Sequence, residues 1–217
     1  MSELSSSLKR ARELDVEEIA RSIQNIGFSC TRCGACCRGT ADDPHTATIF
    51  PDEVRTLQTH TESKWKDVAR PIPYGLSADG TGETFEWALQ TDTCGDCTYL
   101  VEHSDGTTAC GVYDDRPAIC RTYPFQLDLT GTTAPTGDVN EQAGDVLAYE
   151  CEGLGTAIDW KEACALAAQL KERTIHDIQE AIALLDQYDP DQSHDSDVIV
   201  HDSEGPKRPD GQLLTKT

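Results

Sequence analysis

Residues 28–40 read FSCTRCGACCRGT and place Cys30, Cys33, Cys36 and Cys37 within eight positions. No other stretch constrains the chain as strongly. Thiolates bind soft or borderline metals, chiefly zinc, or carry iron–sulfur clusters. A C-x2-C pair on a tight turn aims two sulfurs at one ion about 2.3 Å away. Cys30, Cys33 and Cys36 keep that spacing in register, and Gly34 lets the turn close tightly around a centre. Adjacent cysteines point in different directions. Cys36 and Cys37 are therefore expected to serve different ions, or one serves a cluster while the other packs.

Some familiar cysteine patterns are absent. The two-cluster ferredoxin run needs C-x2-C-x2-C-x3-C-P, and position 40 is Thr. The C-x3-C-x2-C of radical enzymes fails at the same residue: Cys33 and Cys37 have the first spacing, but Thr40 stands in place of the third cysteine. A second block, residues 94–125, adds Cys94, Cys97, Cys110 and Cys120, and Cys151 and Cys164 come later. The chain opens MSELSSSLKRARELD, without an apolar leader, and no stretch approaches a membrane span of about 18 apolar residues. It reads as a cytoplasmic protein, where dense cysteines mean metal or catalysis more often than disulfides. His45 and His103 lie near the motifs, but with ten thiols available neither is needed as a ligand.

The net charge is −21, with 39 acidic against 18 basic residues. Lysine is scarce, and the acids are spread along the chain. This balance fits a halophilic, acidic surface whose self-repulsion high salt screens. No basic stripe meets phosphates, so neither nucleic acid nor membrane is an expected partner, and the sequence names no protein or redox partner. Against this background four of the eleven arginines sit beside cysteines: Arg32, Arg38, Arg116 and Arg121. Guanidinium donors suit the excess negative charge of a four-thiolate site. Arg116, Arg121 and Tyr113 are the candidates for an outer shell around a cofactor. Tyr123, Pro124 and Phe125 with Pro117 read as structural walls around Cys120.

The length of 217 residues suits one domain with a tail. Residues 15–26 predict a helix, with Asp15 and Glu18 at its start and Gly27 as its stop. A second helix begins at Pro51. Residues 61–82 read as loop, and FEWAL (85–89) as a half-buried strand. Asp105-Gly106 signals a two-residue hairpin turn. That register sets Cys97 and Cys110 on one face but four residues out of step, about 13 Å. One tetrahedral site then cannot hold both unless the hairpin bends or its loop is longer. FQLDL (125–129) and DVLAYEC (145–151) suggest further strands. Residues 159–172 and 174–188 predict two helices, the second capped by Thr174. Residues 189–217 read as an acidic, mostly disordered tail, in which VIV (198–200) is able to dock. The fold class expected is α+β: a small, loop-rich domain over 1–188, with core motifs at 28–152, short hairpins and flanking helices.

The set CTRCGACC, then CTYL at Cys97, then CGVYDDRPAICRTYPF resembles the YkgJ-type CxxCxxCC family of zinc- or iron-chelating domains. The resemblance covers roughly 28–152. It implies zinc or iron bound by Cys30, Cys33, Cys36, Cys37, Cys97, Cys110, Cys120 and Cys151, with a [4Fe-4S] cluster as one form. Cys94 and Cys164 fall outside its pattern. Eight thiols suffice for two four-ligand sites, or for one cluster plus an ion. A more distant resemblance, to the cysteine-rich part of flagellin lysine N-methylase, implies an iron–sulfur-dependent methyltransferase or oxidoreductase. GLG (153–155) and GTG (80–82) make weak cofactor loops for such an enzyme. The remaining alternative is a partner-binding scaffold whose metal is purely structural. No complete nucleophile–base set stands out.

Overall fold

The computed structural model describes residues 2–129, 139–191 and 197–214. They form an α+β, loop-rich fold of helices and short sheets. The chain divides into two compact units.

The first unit runs through Cys36 and resumes over Glu102–Ala109 and Ala118–Gln179. It opens with α1 (Ser2–Glu13) and α2 (Val16–Ile26). Asp15 caps α2 as the sequence indicated, its carboxylate accepting from the Glu17 N–H at 2.7 Å. Gly27 ends the helix with φ 76°, its N–H donating to the Ile23 carbonyl. The short α5 (Ala118–Thr122) leads into β7 (Phe125–Leu127). β8 (Val139–Ala143) and β9 (Val146–Tyr149) complete an antiparallel sheet in the order β7-β9-β8. One face of α2 lays Ile19, Ala20 and Ile23 on Phe125, Leu127, Val146 and Ala148. Ala163, Ala167 and Leu170 close the same core from α6 (Trp160–Gln187). Cys164 is partly buried against this cluster, as a small apolar side chain.

α6 is one continuous helix where two were expected. No Gly or Pro interrupts it, and the Thr174 hydroxyl donates to the Leu170 carbonyl at 2.9 Å instead of capping a new start.

The second unit comprises Cys37–Val101, Cys110–Pro117 and the chain from Glu180 on. β1 (Thr48–Ile49), β4 (Trp87–Leu89) and β2 (Ala69–Pro71) form one antiparallel sheet in the order β1-β4-β2. α3 (Pro51–Thr61) begins at its proline, as expected. The stretch read as loop holds α4 (Trp65–Val68) and then β2. α4 is too short to show a helical period; Asp67 holds its start by accepting from the Lys64 N–H at 3.1 Å.

A second sheet corrects the reading of 189–217 as a disordered tail. β10 (Val198–Asp202) pairs antiparallel with β11 (Gly205–Lys207) and parallel with β3 (Gly82–Thr84). Residues 198–200 do dock, and a buried charge cluster holds the turn and strand beyond them. Lys207 is 2 % exposed, and its ammonium donates to Asp202 at 2.8 Å and Glu204 at 2.7 Å. The Trp87 indole N–H donates to the same Asp202 oxygen at 2.8 Å, and Arg55 binds Glu204. Residues 192–196 and 215–217 lie outside the described residues.

β5 (Leu100–Glu102) and β6 (Thr108–Cys110) form the expected hairpin. Its loop is one residue longer than a two-residue turn: the His103 N–H donates to the Thr107 carbonyl at 2.9 Å, and Gly106 has φ 83°. Among the described residues, no helix is long and apolar enough to cross a membrane.

Candidate metal centre

The cysteine run leaves α2 at Gly27 and is at once tied to a distant loop. Phe28 and Leu154 form an antiparallel bridge, and the Ser29 N–H donates to the Gly153 carbonyl at 3.1 Å. A Cβ on Gly153 would stand 2.2 Å from the Ser29 carbonyl oxygen, so only glycine permits this approach. Phe28 sets its ring edge-on to Phe125, 5.6 Å between centroids, fixing the strip to the core. The bridge carries Cys151 alongside the start of the run.

The loop then folds against the hairpin. Arg32 takes a left-handed φ of 56°, and its carbonyl accepts from the Thr108 hydroxyl at 2.6 Å and the Thr108 N–H at 3.3 Å. Gly34, at φ 77°, lies on the same threonine: a Cβ there would be 2.7 Å from its hydroxyl oxygen. A 3₁₀ turn over Ala35–Cys37 ends the run.

This path gathers four thiols of the first unit. Burial raises the Cys151 pKa, and the neighbouring Cys33, Cys36 and Cys30 oppose its ionisation further. The Gly153 N–H points at the Cys151 sulfur at 3.5 Å, the kind of donor that stabilises a metal-bound thiolate. Tyr123 stands over the group. Its hydroxyl donates to the Glu150 carbonyl, and its pKa is pushed up to about 12, first by burial and then by Cys151, Cys36, Glu150 and Cys33.

The thiols of the second unit take a different route. The Cys97 N–H donates to the Cys37 carbonyl at 2.8 Å. Cys97 is buried and opens a turn in which the Leu100 N–H donates back to its carbonyl at 2.9 Å. The Gly111 N–H then donates to the Tyr99 carbonyl at 2.8 Å, which brings Cys110 to the same end of the hairpin. The longer loop shifts the pairing by one residue from that of an ideal two-residue hairpin, and both Cys97 and Cys110 act on Tyr99. Tyr99 lies beside both sulfurs: burial raises its pKa first, and Cys97, Asp67 and Cys110 add to the shift. Its hydroxyl approaches Thr61, the one influence lowering that pKa, but is buried without a hydrogen bond of regular geometry.

The remaining candidates are placed as follows. Cys120 is half-buried on α5 in the first unit, and Arg121 is exposed beside it. Arg116 stacks on the exposed Tyr113 ring, 3.9 Å from its centroid, and donates to the Tyr113 carbonyl at 3.0 Å. Arg38 pairs with Asp96 at 3.4 Å. Arg32 contributes its carbonyl to Thr108. His103 is exposed at the hairpin tip. The buried His45 Nε2 has no hydrogen-bond partner, and burial, then Arg70, lowers its pKa. Sequence reading assigned no role to Thr108 or Tyr99, of which only Tyr99 carried a signal, in CTYL, and it met Gly153 only in the weak cofactor loop GLG.

No disulfide joins any of the ten cysteines. Among the described residues, no three Cys, His, Asp or Glu side chains converge on one point at coordinating distance. The backbone carries Cys151 alongside the loop of Cys30, Cys33 and Cys36 in the first unit, and ties Cys97 to Cys37 in the second. The donor set is soft sulfur, matched to zinc or iron rather than to magnesium or calcium.

Residues 29–152 match the sequence model of the CxxCxxCC family, described as "Putative zinc- or iron-chelating domain". No curated protein and no solved structure matches the chain.

Proposed function

The chain belongs to the CxxCxxCC family, and from that premise we propose that it chelates zinc or iron through Cys30, Cys33, Cys36, Cys37, Cys97, Cys110, Cys120 and Cys151. The observation that supports this best is the bridge of Phe28 and Ser29 to Gly153 and Leu154, which sets Cys151 beside the C-x2-C-x2-C run. A bound ion or cluster supplies charge neutralisation for four thiolates, and an iron–sulfur cluster would add electron transfer. The chain's own part is to hold the sulfurs and offer the Gly153 N–H to one of them, while Tyr123 shields the group from water. Metal binding contributes to folding, because the ligands lie on distant stretches of the chain that an ion holds together. A redox or metal-handling role, in the cytoplasm, rests on this chemistry.

The test is anaerobic purification in high salt, then a visible spectrum and metal content per chain. Zinc or iron retained through purification is the expected result, and a broad band near ~400 nm with iron would identify a cluster. Protein that carries neither metal, and takes up neither when refolded with it, refutes the reading.

A further inference from the structure

Eight family-pattern thiols can divide between centres in more than one way, and Cys94 lies outside that pattern. Resting on the chelation reading, we infer that the cysteine run serves two separate centres, with the division at the Cys36–Cys37 bond. One centre is Cys30, Cys33, Cys36 and Cys151. The other is Cys37, Cys94, Cys97 and Cys110.

The boundary between the two compact units falls between Cys36 and Cys37. Each unit contains the backbone that assembles its own set. In the first, the bridge at Phe28–Leu154 and the clamp of Thr108 on Arg32 fix the loop carrying three thiols against Cys151. In the second, hydrogen bonds tie Cys37 and Gly39 to the short stretch that carries Cys94 and Cys97.

That stretch is C-G-D-C, residues 94–97, a C-x2-C pair on a tight turn. The Asp92 carboxylate builds the turn, accepting from the Cys94 N–H at 2.8 Å and the Asp96 N–H at 3.1 Å. Gly95 completes it at φ 95°. The turn sits on the residues just after Cys37: a Cβ on Gly95 would be 2.0 Å from the Thr40 carbonyl oxygen. The Gly39 N–H donates to Asp96 at 2.9 Å, and the Cys97 N–H to Cys37 at 2.8 Å. Cys110 joins through the bond from Gly111 to Tyr99. The Tyr99 hydroxyl, buried without a regular hydrogen bond, is left to donate to a thiolate of this set. Cys120 belongs to the other unit, and in this division Cys94 replaces it among the eight ligands.

Metal content per chain separates the outcomes. C36S and C37S should each remove about half of the metal of the parent protein, and the double variant all of it. If either single variant empties the chain, there is one shared centre and the division is wrong. C94S should lose the same share as C37S, with no further loss in the C37S/C94S double. Loss of that share by C120S, with C94S unchanged, overturns the ligand set. A measurement on the parent protein does not depend on any variant folding. Cys94 is exposed, so iodoacetamide should modify it in chelator-treated protein and spare it once zinc is restored. Equal modification with and without zinc refutes its role. Parent protein that holds no zinc or iron refutes the chelation reading itself, whereas metal-replete protein with an unprotected Cys94 refutes only this assignment.

Discussion

Gly34→Ala tests whether the cysteine loop is shaped by contact with the hairpin. Gly34 has φ 77°, a conformation that costs an alanine about 1–2 kcal/mol. Its Cβ would also meet Thr108 at 2.7 Å from Oγ1, 2.9 Å from Cγ2 and 3.1 Å from Cβ. Thr108 is buried, and its hydroxyl is committed to the Arg32 carbonyl at 2.6 Å, so it has no cheap way to retreat. Overpacking of this kind costs about 1–3 kcal/mol, so the two effects together predict a loss of about 2–5 kcal/mol. Gly106→Ala is the control: φ is 83° in the same hairpin, but nothing lies within 4 Å of the added carbon. It should lose only the conformational part, about 1–2 kcal/mol. The assay is urea unfolding of the reduced, metal-free chain monitored by circular dichroism, with metal content measured on the purified variants. Adding Thr108→Ala to Gly34→Ala should recover part of the loss, since it removes the two closest atoms, so the double-mutant cycle should show favourable coupling. If Gly34→Ala costs no more than Gly106→Ala, or the cycle shows no coupling, the loop is not shaped by this contact.

The second unit and the metal give three more expected outcomes. Lys207→Met removes the ammonium that neutralises the buried Asp202, 6 % exposed, and should cost about 3–5 kcal/mol; a loss under about 1 kcal/mol by urea unfolding would show that the cluster does not hold β10 and β11 in place. Glu204 is held down to about 2, chiefly by the Arg55 hydrogen bond, and then by Lys207. A depressed carboxyl contributes stability that is present above its ordinary value near 4.5 and is lost as pH falls through about 2. Glu204 is partly exposed, so the discounted contribution is about 1 kcal/mol; the stability gap to Glu204→Gln should close between pH 4.5 and 2, and a pH-independent gap would count against it. Removing metal with a chelator should lower the melting temperature of the parent protein, and an unchanged value would make the metal incidental to the fold.

Much of the local structure was legible because its causes are local. Asp15 and Gly27 bound α2 through bonds to neighbouring residues, and Pro51 starts α3. Illegibility begins where one local signal serves two outcomes. Asp105-Gly106 fits a two-residue turn or the longer loop observed, and Gly106 supplies the positive φ that either needs. The choice moves the partner of Cys110 by one residue and so changes its offset from Cys97. Thr174 fits a helix start or a helix interior, and only its bond to Leu170 selects the second. The segment from 189 on reads as a tail because its composition is polar. Its order comes from β3, more than a hundred residues earlier, and from Lys207, an exposed-type residue buried by Asp202 and Trp87.

The same distinction applies to the thiols. Spacing alone identifies cysteines fit for a metal, because the requirement for paired sulfurs on a tight turn is local. Which cysteines share a centre depends on where distant backbone segments touch, and in this chain they touch at glycines. Gly34 meets Thr108, Gly153 meets the Ser29 carbonyl and Gly95 meets the Thr40 carbonyl. In the sequence Gly34 reads as a turn former beside cysteines, and in the structure all three glycines are surfaces on which the thiol-bearing loops rest. A side chain at any of the three would separate a pair of loops without removing a single thiol. Metal binding should therefore be as sensitive to these glycines as to the cysteines themselves, with one difference. A glycine variant retains all its ligands, so its metal should return at high metal concentration, whereas a cysteine variant's should not.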